Sequence, residues 1–556
     1  MSNQHTPDAS PTEPNASVSR RDFLKFASAS GLATAAGTLA TGKAVAATPD
    51  GTPEQVHLTF GDDPRTEFVA SWASLAQAVN PRVLVACGHE GKQLVHAVQR
   101  SYTDGINGTI VFTYHARLRD LHPGTTYTYE VTADNDSNSG QPFSGTFTTA
   151  PQGRAPFRFT SYGDLATPNT NWVLSYPQSK FAVSAVEQFQ PLFHLLNGDL
   201  CYANLNPTEQ PSVWRDFGNN VQTSARNRAW MPCPGNHELE FNNGPQGLNS
   251  YLTRYTLPDN GTRFPGRWYS FRVSTVLFVS LDSDDVIYQD GAAFVAGPSA
   301  LVPAASTGNG PIEPGTSLYV RGYSNGEQTQ WLEQTLRRAH EDNDIDWIIV
   351  QMHQDALTSS KTGNGSDKGI REAWLPLFDK YGVDLVVCGH DHDYERSYPV
   401  RGCNHNTGRD ATTGQPVDTL QPRPVSTSNA STYDTSHGTI HLILGGGGTD
   451  APLDVYGVDA GDGLPLAKVF TKANRPIAGA TAGTFVRNPA DAVEDAIWSA
   501  QRDTGTGYGI GVFDVEPGHQ GGTAKITLNY YHAPGADTTP TAEYKLFETI
   551  VLEKRV

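Results

Sequence analysis

Five short segments set glycine or a strand end beside side chains that bind metals: Gly163-Asp164, Gly198-Asp199-Leu200-Cys201-Tyr202, Gly235-Asn236-His237-Glu238, Val350-Gln351-Met352-His353 and Gly389-His390-Asp391-His392. Carboxylate, amide oxygen, phenolate and imidazole suit a hard trivalent iron beside a softer divalent ion, and a shared carboxylate holds two cations close. Two cations roughly 3.5–4 Å apart can generate hydroxide from water, grip phosphate oxygens and stabilise both oxygens of an in-line displacement. That is hydrolytic phosphate chemistry. Alone, a Gly-Asp pair reads as a turn and a strand-end His as a structural hydrogen-bonder. Five such segments in order, each after an apolar strand, point instead to one metal site.

The elements that must position these residues are apolar runs at 157–160, 192–196, 229–233, 275–281, 347–351, 385–388 and 440–444. They alternate with helical patterns, the sign of an α/β domain whose strand C-terminal edges converge on one crevice. One helix is expected over 328–340, opened by a Ser324-Asn325-Gly326-Glu327 capping box. A second carries Ile370, Ala373, Trp374, Leu377, Phe378 and Tyr381 on one face, with Pro376 marking a kink or restart. Polar stretches at about 285–320, 401–437 and 449–505 read as surface insertions that wall a substrate cleft. Runs at 510–515, 525–531 and 547–552 read as added edge strands.

Before position 151 the texture is all-β, with short alternating runs at 56–60, 68–72, 83–86, 109–114, 127–131 and 145–148. These spacings predict a sandwich over 48–151, followed by the catalytic domain over 152–556. The stretch from Leu118 to Tyr129 is similar to the tyrosine corner of a fibronectin type III-like domain, in which a Tyr hydroxyl ties back to the preceding turn.

Apolar residues at 37% and charged residues at 18% of 556 describe a globular chain, and a formal charge of -18 repels phosphate backbones, so nucleic acid is not an expected partner. Five scattered cysteines make no disulfide framework; Cys201 and Cys233 are read as buried, inert thiols. Residues 1–47 hold Ser19-Arg20-Arg21-Asp22-Phe23-Leu24-Lys25, a mild Ala/Gly-rich stretch and Ala44-Val45-Ala46. This is similar to a twin-arginine export signal. It implies the twin-arginine translocase as a partner, a periplasmic or secreted location and no stable membrane anchor.

The complete motif set, with Tyr394-Glu395-Arg396 following the fifth segment, resembles the calcineurin-like metallophosphoesterases and specifically the purple acid phosphatases. The resemblance implies a four-layer metallophosphoesterase β-sandwich flanked by helices. It implies that Fe(III) is held by Asp164, Asp199, Tyr202 and His392, and a divalent Fe, Zn or Mn by Asp199, Asn236, His353 and His390, with Asp199 bridging. Asn236 and His237 would contact a small phosphorylated substrate, His237 would protonate the leaving alcohol, and Tyr202 would lend the purple colour. The implied activity is an exported acid phosphatase acting on monoesters through hydroxide made at the metal pair. Plant-type members carry further histidines after the fourth motif, whereas here Gln354 and Asp355 lead to Lys361 with none; Asp355 and Lys361 read as a solvated charged loop. Two alternatives stay open. An alkaline phosphatase of the D type shares the plan but typically has Asp-Asp-His-Glu at the third motif. A secreted metal-containing binding protein would hold metal without turnover.

Overall fold

A computed structural model describes residues 50–556 apart from 89–90, 139–141, 245, 290–321, 361–363, 450–463, 473–491 and 520. The export-signal reading of 1–47, Lys361, and much of the stretches at 285–320 and 449–505 lie outside the described residues.

Successive residues of a strand point to opposite faces, so each strand of the central sheets feeds two cores. In the strand Val276–Ser280, Phe278 joins a cluster with Phe159 and Phe193, while Leu277 and Val279 join Leu332 and Leu336. Ile349 and Val387 face inward, and Val350 and Val386 outward, in Trp347–Gln351 and Leu385–Cys388. Two sheets thus pack face to face. Helix Glu327–Glu341 and the helices Lys368–Ala373 and Leu375–Tyr381 cover one outer face, and Gln178–Phe189 and Gln210–Ala225 cover the other, giving the expected four layers. Between the sheets Phe159 stacks on Phe193 (5.5 Å) and Phe513 (4.4 Å) and meets Phe278 edge-on (5.1 Å). Such pairs each add roughly 0.5–1.5 kcal/mol beyond their burial.

The seven-stranded sheet has the parallel strands 276–280, 347–351, 385–388 and 440–444 at its centre. The eleven-stranded sheet has Phe157–Tyr162, Phe193–Asn197 and Ala229–Cys233 parallel at its centre. The C-terminal strands Gly509–Glu516, Thr523–His532 and Lys545–Arg555 extend one side of it, with Thr432–Asp434 at its edge. On the other side Leu58 pairs in parallel with Ala229, so half of the N-terminal sandwich continues the same sheet. Among the described residues that sandwich has eight strands, two more than the six runs of the sequence. Gln93–His96 and Val98–Thr103 escaped the sequence because nearly all their side chains are exposed, which erases the period-two pattern. Tyr127 Oη accepts from His122 N at 2.8 Å, the tie-back expected of the corner.

Three expectations are corrected. The stretch 401–437 is not merely an insertion loop: it holds Val400–Asn404, Gly408–Asp410, Pro416–Val417, Gln421–Pro424 and Thr432–Asp434. Within 449–505, Leu466–Phe470, Ala492–Asp495 and Ser499–Arg502 are also strands. Leu466–Phe470 buries Ala467 and Val469, whereas Ala492–Asp495 is held by a buried polar pair. Arg371, on the helix Lys368–Ala373, makes a fork-to-fork pair with Glu494 at 2.8 and 3.1 Å, both side chains fully buried, and Trp498 Nε1 donates to the same carboxylate. The capping box also fails to form. Ser324 gives its N–H and hydroxyl to Asp285, Glu327 turns outward to Arg263, and the helix starts after Gly326 at φ 80°. Pro376 marks the expected restart, with Trp374 between the two short helices. Among the described residues no helix is long and apolar enough to cross a membrane.

Replacing Arg371 by Ala strands Glu494 as an uncompensated buried charge. Denaturant unfolding of the Arg371→Ala protein is expected to show a loss of about 3–5 kcal/mol; a loss below about 1 kcal/mol would refute the anchoring role.

Candidate metal centre

The in-register pairing of Leu196 with Tyr162 and of Asn197 with Cys233 ends three parallel strands at one level, and Gln351 with Val387 ends two more in the facing sheet. The chain turns sharply at each end. Asp164, Asp199, Tyr202 and His390 have φ of 58°, 48°, 59° and 70°, left-handed values that cost a non-glycine residue roughly 1–2 kcal/mol each. Backbone and carboxylate ties hold these turns. Asp164 N donates to Gly198 O (3.0 Å), and His390 N to Asp164 Oδ2 (2.9 Å). Glu238, fully buried, accepts from the N–H groups of Asp199, Leu200 and Gly235 at 2.8–3.0 Å.

Two nests of donor atoms result. In the first, Tyr202 Oη lies 3.0 Å from Asp164 Oδ1 and 3.0 Å from His392 Nε2, which is itself 3.4 Å from Asp164 Oδ1. In the second, His353 Nε2 lies 3.1 Å from Asp199 Oδ2, 3.1 Å from Asn236 Oδ1 and 3.2 Å from His390 Nδ1. Asp199, His353 and His390 bring three ligand atoms within 4.8 Å of one another, all buried. All seven residues expected to be ligands are therefore brought together. The ring nitrogens facing away set the tautomers: His353 Nδ1 donates to Asn197 O at 2.7 Å, and His390 Nε2 faces Gln289 Oε1 at 3.3 Å. His237 stands at the side, with Nδ1 2.9 Å from Asn204 Oδ1, Nε2 3.8 Å from Asp199 Oδ2, and its ring 4.5 Å from that of Tyr202.

The electrostatics describe a site built for positive charge. Burial pushes the Asp164 carboxyl up despite His353 and His392 beside it. Burial acts the same way on Asp199, but the charges of His353 and His237 outweigh it and hold that carboxyl down to about 2. Against burial, Asp199 and Asp164 pull His353 up to about 10, and burial with the same carboxylates drives the Tyr202 phenol well up. A cation would take over the role of the His353 proton. Hard oxygen donors with imidazoles, and no thiolate, fit an iron and a divalent ion. Cys201 and Cys233 are free, buried thiols, as expected, and burial pushes both well up.

Asp355 departs from expectation: it is 1% exposed and not on a solvated surface, because its loop folds back over the fifth motif. The sequence pattern did not point to the bracing roles of Glu238 and Gln289, to Asn204 behind His237, or to Gln354, whose Nε2 lies 3.5 Å from Asn236 Oδ1 and 3.0 Å from Asp284 Oδ1. Glu238 lay in plain view inside the third motif, but Asn204 sits in the single-turn helix Ala203–Leu205 and Gln289 and Gln354 in loops, with no periodic signal.

Residues 53–149 match the family described as purple acid phosphatase, N-terminal domain, and residues 158–394 match the calcineurin-like phosphoesterase family. An uncharacterised protein of Mycobacterium tuberculosis is 41% identical over 493 residues, covering 86% of this chain and 84% of that one. Probable purple acid phosphatase 20 of Arabidopsis thaliana is 29% identical over 364 residues, 62% of this chain and 69% of that one. This chain belongs to the purple acid phosphatase-type calcineurin-like phosphoesterases. A solved purple acid phosphatase from yellow lupin seeds shares the fold of this phosphoesterase, with a TM-score of 0.59 at 16% identity over 91% of this chain and 75% of that one.

Gly198 has φ 79°, and a Cβ there would stand 2.5 Å from the His353 ring. Gly198→Ala is expected to cost about 2 kcal/mol or more and to weaken divalent-metal binding measured by calorimetry. Gly153 has φ 69° but open space around it, so Gly153→Ala should cost only the backbone strain and bind metal normally. Equal metal binding by both variants would contradict the geometry.

Proposed function

We propose that this phosphoesterase is an exported hydrolase of phosphate monoesters working with Fe(III) and a divalent Fe, Zn or Mn. The observation that carries the reading is the double nest: the first nest adjoins the second through Asp199, whose turn also carries Tyr202. Asp164, Tyr202 and His392 with Asp199 are the ferric ligands, and Asn236, His353 and His390 with Asp199 are the divalent ligands. Bound there, the pair supplies Lewis acidity and an activated water for displacement at phosphorus.

The chain's own residues do the rest. Glu238 holds the turns of Asp199 and Asn236 at a fixed spacing by accepting three backbone N–H groups. Gln289 Oε1 accepts a hydrogen bond from His390 Nε2–H and so leaves Nδ1 facing the site. Asn204 orients His237 through Nδ1, and the imidazolium can then pass its Nε2 proton to the departing alkoxide. Export rests on Arg20-Arg21 and Ala44-Val45-Ala46, read with the segment 1–47 as a leader removed from the mature enzyme. The sandwich over 48–151 packs and positions, and 152–556 catalyses.

Hydrolysis of a chromogenic phosphomonoester and the matching diester tests the proposal. His237→Gln should lower kcat about 10²–10⁴-fold with little change in KM. Asn236→Ala should lose the divalent ion, and full activity in that protein would sink the ligand assignment. Gln289→Leu is expected to weaken divalent affinity about 10–100-fold, with Gln289→Glu, which still accepts, restoring it. Turnover of the diester alone would move the enzyme to a phosphodiesterase reading, and metal binding without turnover to a binding protein.

A further inference from the structure

Among the residues of the second nest, Asn236 has a side chain with a wrong end. The oxygen and nitrogen of a carboxamide have nearly the same shape, yet only the oxygen can bind a cation, so the hydrogen bonds around the group must choose between them. Asn236 is fully buried and its Nδ2 has no hydrogen-bond partner, while its Oδ1 lies 3.1 Å from His353 Nε2 and 3.5 Å from Gln354 Nε2. A His353 nitrogen that binds a cation keeps no proton to donate. Gln354 is then the contact that sets the amide.

The orientation of Gln354 follows from a donor that has no alternative. Its backbone N–H donates to Ser283 Oγ at 3.1 Å, so the Ser283 hydroxyl proton goes to the neighbouring Gln354 Oε1. The amide nitrogen of Gln354 is thereby turned the other way. Its two protons meet two acceptors there, Asp284 Oδ1 at 3.0 Å and Asn236 Oδ1. Ser283 and Asp284 belong to the single-turn helix Ser283–Asp285, which Asp282 caps by accepting from Asp284 N. That turn is tied to the fourth motif, since Leu281 N donates to Gln351 O at 2.9 Å, and Ser283, Asp284 and Gln354 are all buried. Burial pushes the Asp284 carboxyl well up, and with or without its proton the group keeps a bare oxygen for the Gln354 amide.

We propose that Gln354, held by Ser283 and Asp284, is a positioning residue that keeps Oδ1 of Asn236, and not Nδ2, turned to the divalent ion. This role presupposes Asn236 as a ligand of that ion, as read above. A flipped Asn236 would set its own NH2 group against that of Gln354 and offer the ion protons in place of a lone pair. A carbonyl oxygen has two lone pairs, so one accepts from Gln354 and the other is left for the ion.

Zinc titration of the iron-loaded full chain, read by calorimetry with the visible spectrum recorded alongside, tests the role. Gln354→Leu should weaken zinc binding about 10–100-fold while the phenolate-to-iron band stays as in the parent. Ser283→Ala removes only the hydroxyl that turns Gln354 and should weaken zinc binding in the same direction, so it serves if Gln354→Leu does not fold. A carboxylate has no wrong end. In an Asn236→Asp background, Gln354→Leu should therefore change zinc affinity by no more than about twofold, the scatter of uncoupled sites. Equal zinc affinity in the parent, Gln354→Leu and Ser283→Ala overturns the proposal. So does an equally large loss in the Asn236→Asp background, which would make Gln354 a general packing residue. A parent chain that takes up iron but neither zinc nor manganese overturns the ligand reading and this role with it; that failure shows in the parent alone, whereas the others require a parent that binds zinc.

Discussion

Two carboxylates buried side by side, Asp164 and Asp199, set the terms for everything around them. In a dry interior neither can stay ionised without positive charge nearby, and the imidazoles of His353, His390 and His392 with the phenol of Tyr202 are the groups brought to meet them. In the metal-free chain a proton on His353 carries that charge. The same arrangement, with the proton displaced, is a cradle for two cations. Affinity and charge balance are therefore one requirement, and the residues that satisfy it cannot be exchanged singly without stranding another.

Precision comes from the two sheets. Their strands end at matched levels because parallel registers tie Tyr162, Asn197 and Cys233 in one sheet and Gln351 and Val387 in the other. The stacked and edge-on rings of Phe159, Phe193, Phe278 and Phe513 fix the distance between the sheets, so donors from facing strands meet within about 3 Å. Left-handed backbone at four of the donors is strain that this rigid frame and the Glu238 ties together hold in place. The N-terminal sandwich shares the larger sheet through Leu58 and Ala229, and its packing reaches the catalytic core directly.

Much of this was legible from residue types. Strands such as Ala229–Cys233 and Trp347–Gln351 are buried on both faces, so their apolar runs mark their bounds, and the turn after the first carries Gly235, where a side chain would run into Asp199. Elements held by polar pairing were not legible. Val98–Thr103 is exposed on most positions, and Ala492–Asp495 is anchored through Glu494 to Arg371, a partner 123 residues away that no local pattern reveals. Asp355 read as solvated because charge is ordinarily outside; only the fold back over Asp391 buries it. Ser324 and Glu327 matched a capping pattern, but Asp285 competes for the serine and wins.

In the proposed assignment Tyr202, Asp164 and His392 would hold a ferric ion beside a second metal at Asp199. A visible absorption spectrum with metal analysis on the mature protein, set against Tyr202→Phe, tests it most directly. Iron and a second metal are expected in the parent, with a phenolate-to-iron absorption band that disappears in the variant. A colourless, iron-free protein that still hydrolyses phosphomonoesters, or a band unchanged by the substitution, would contradict it.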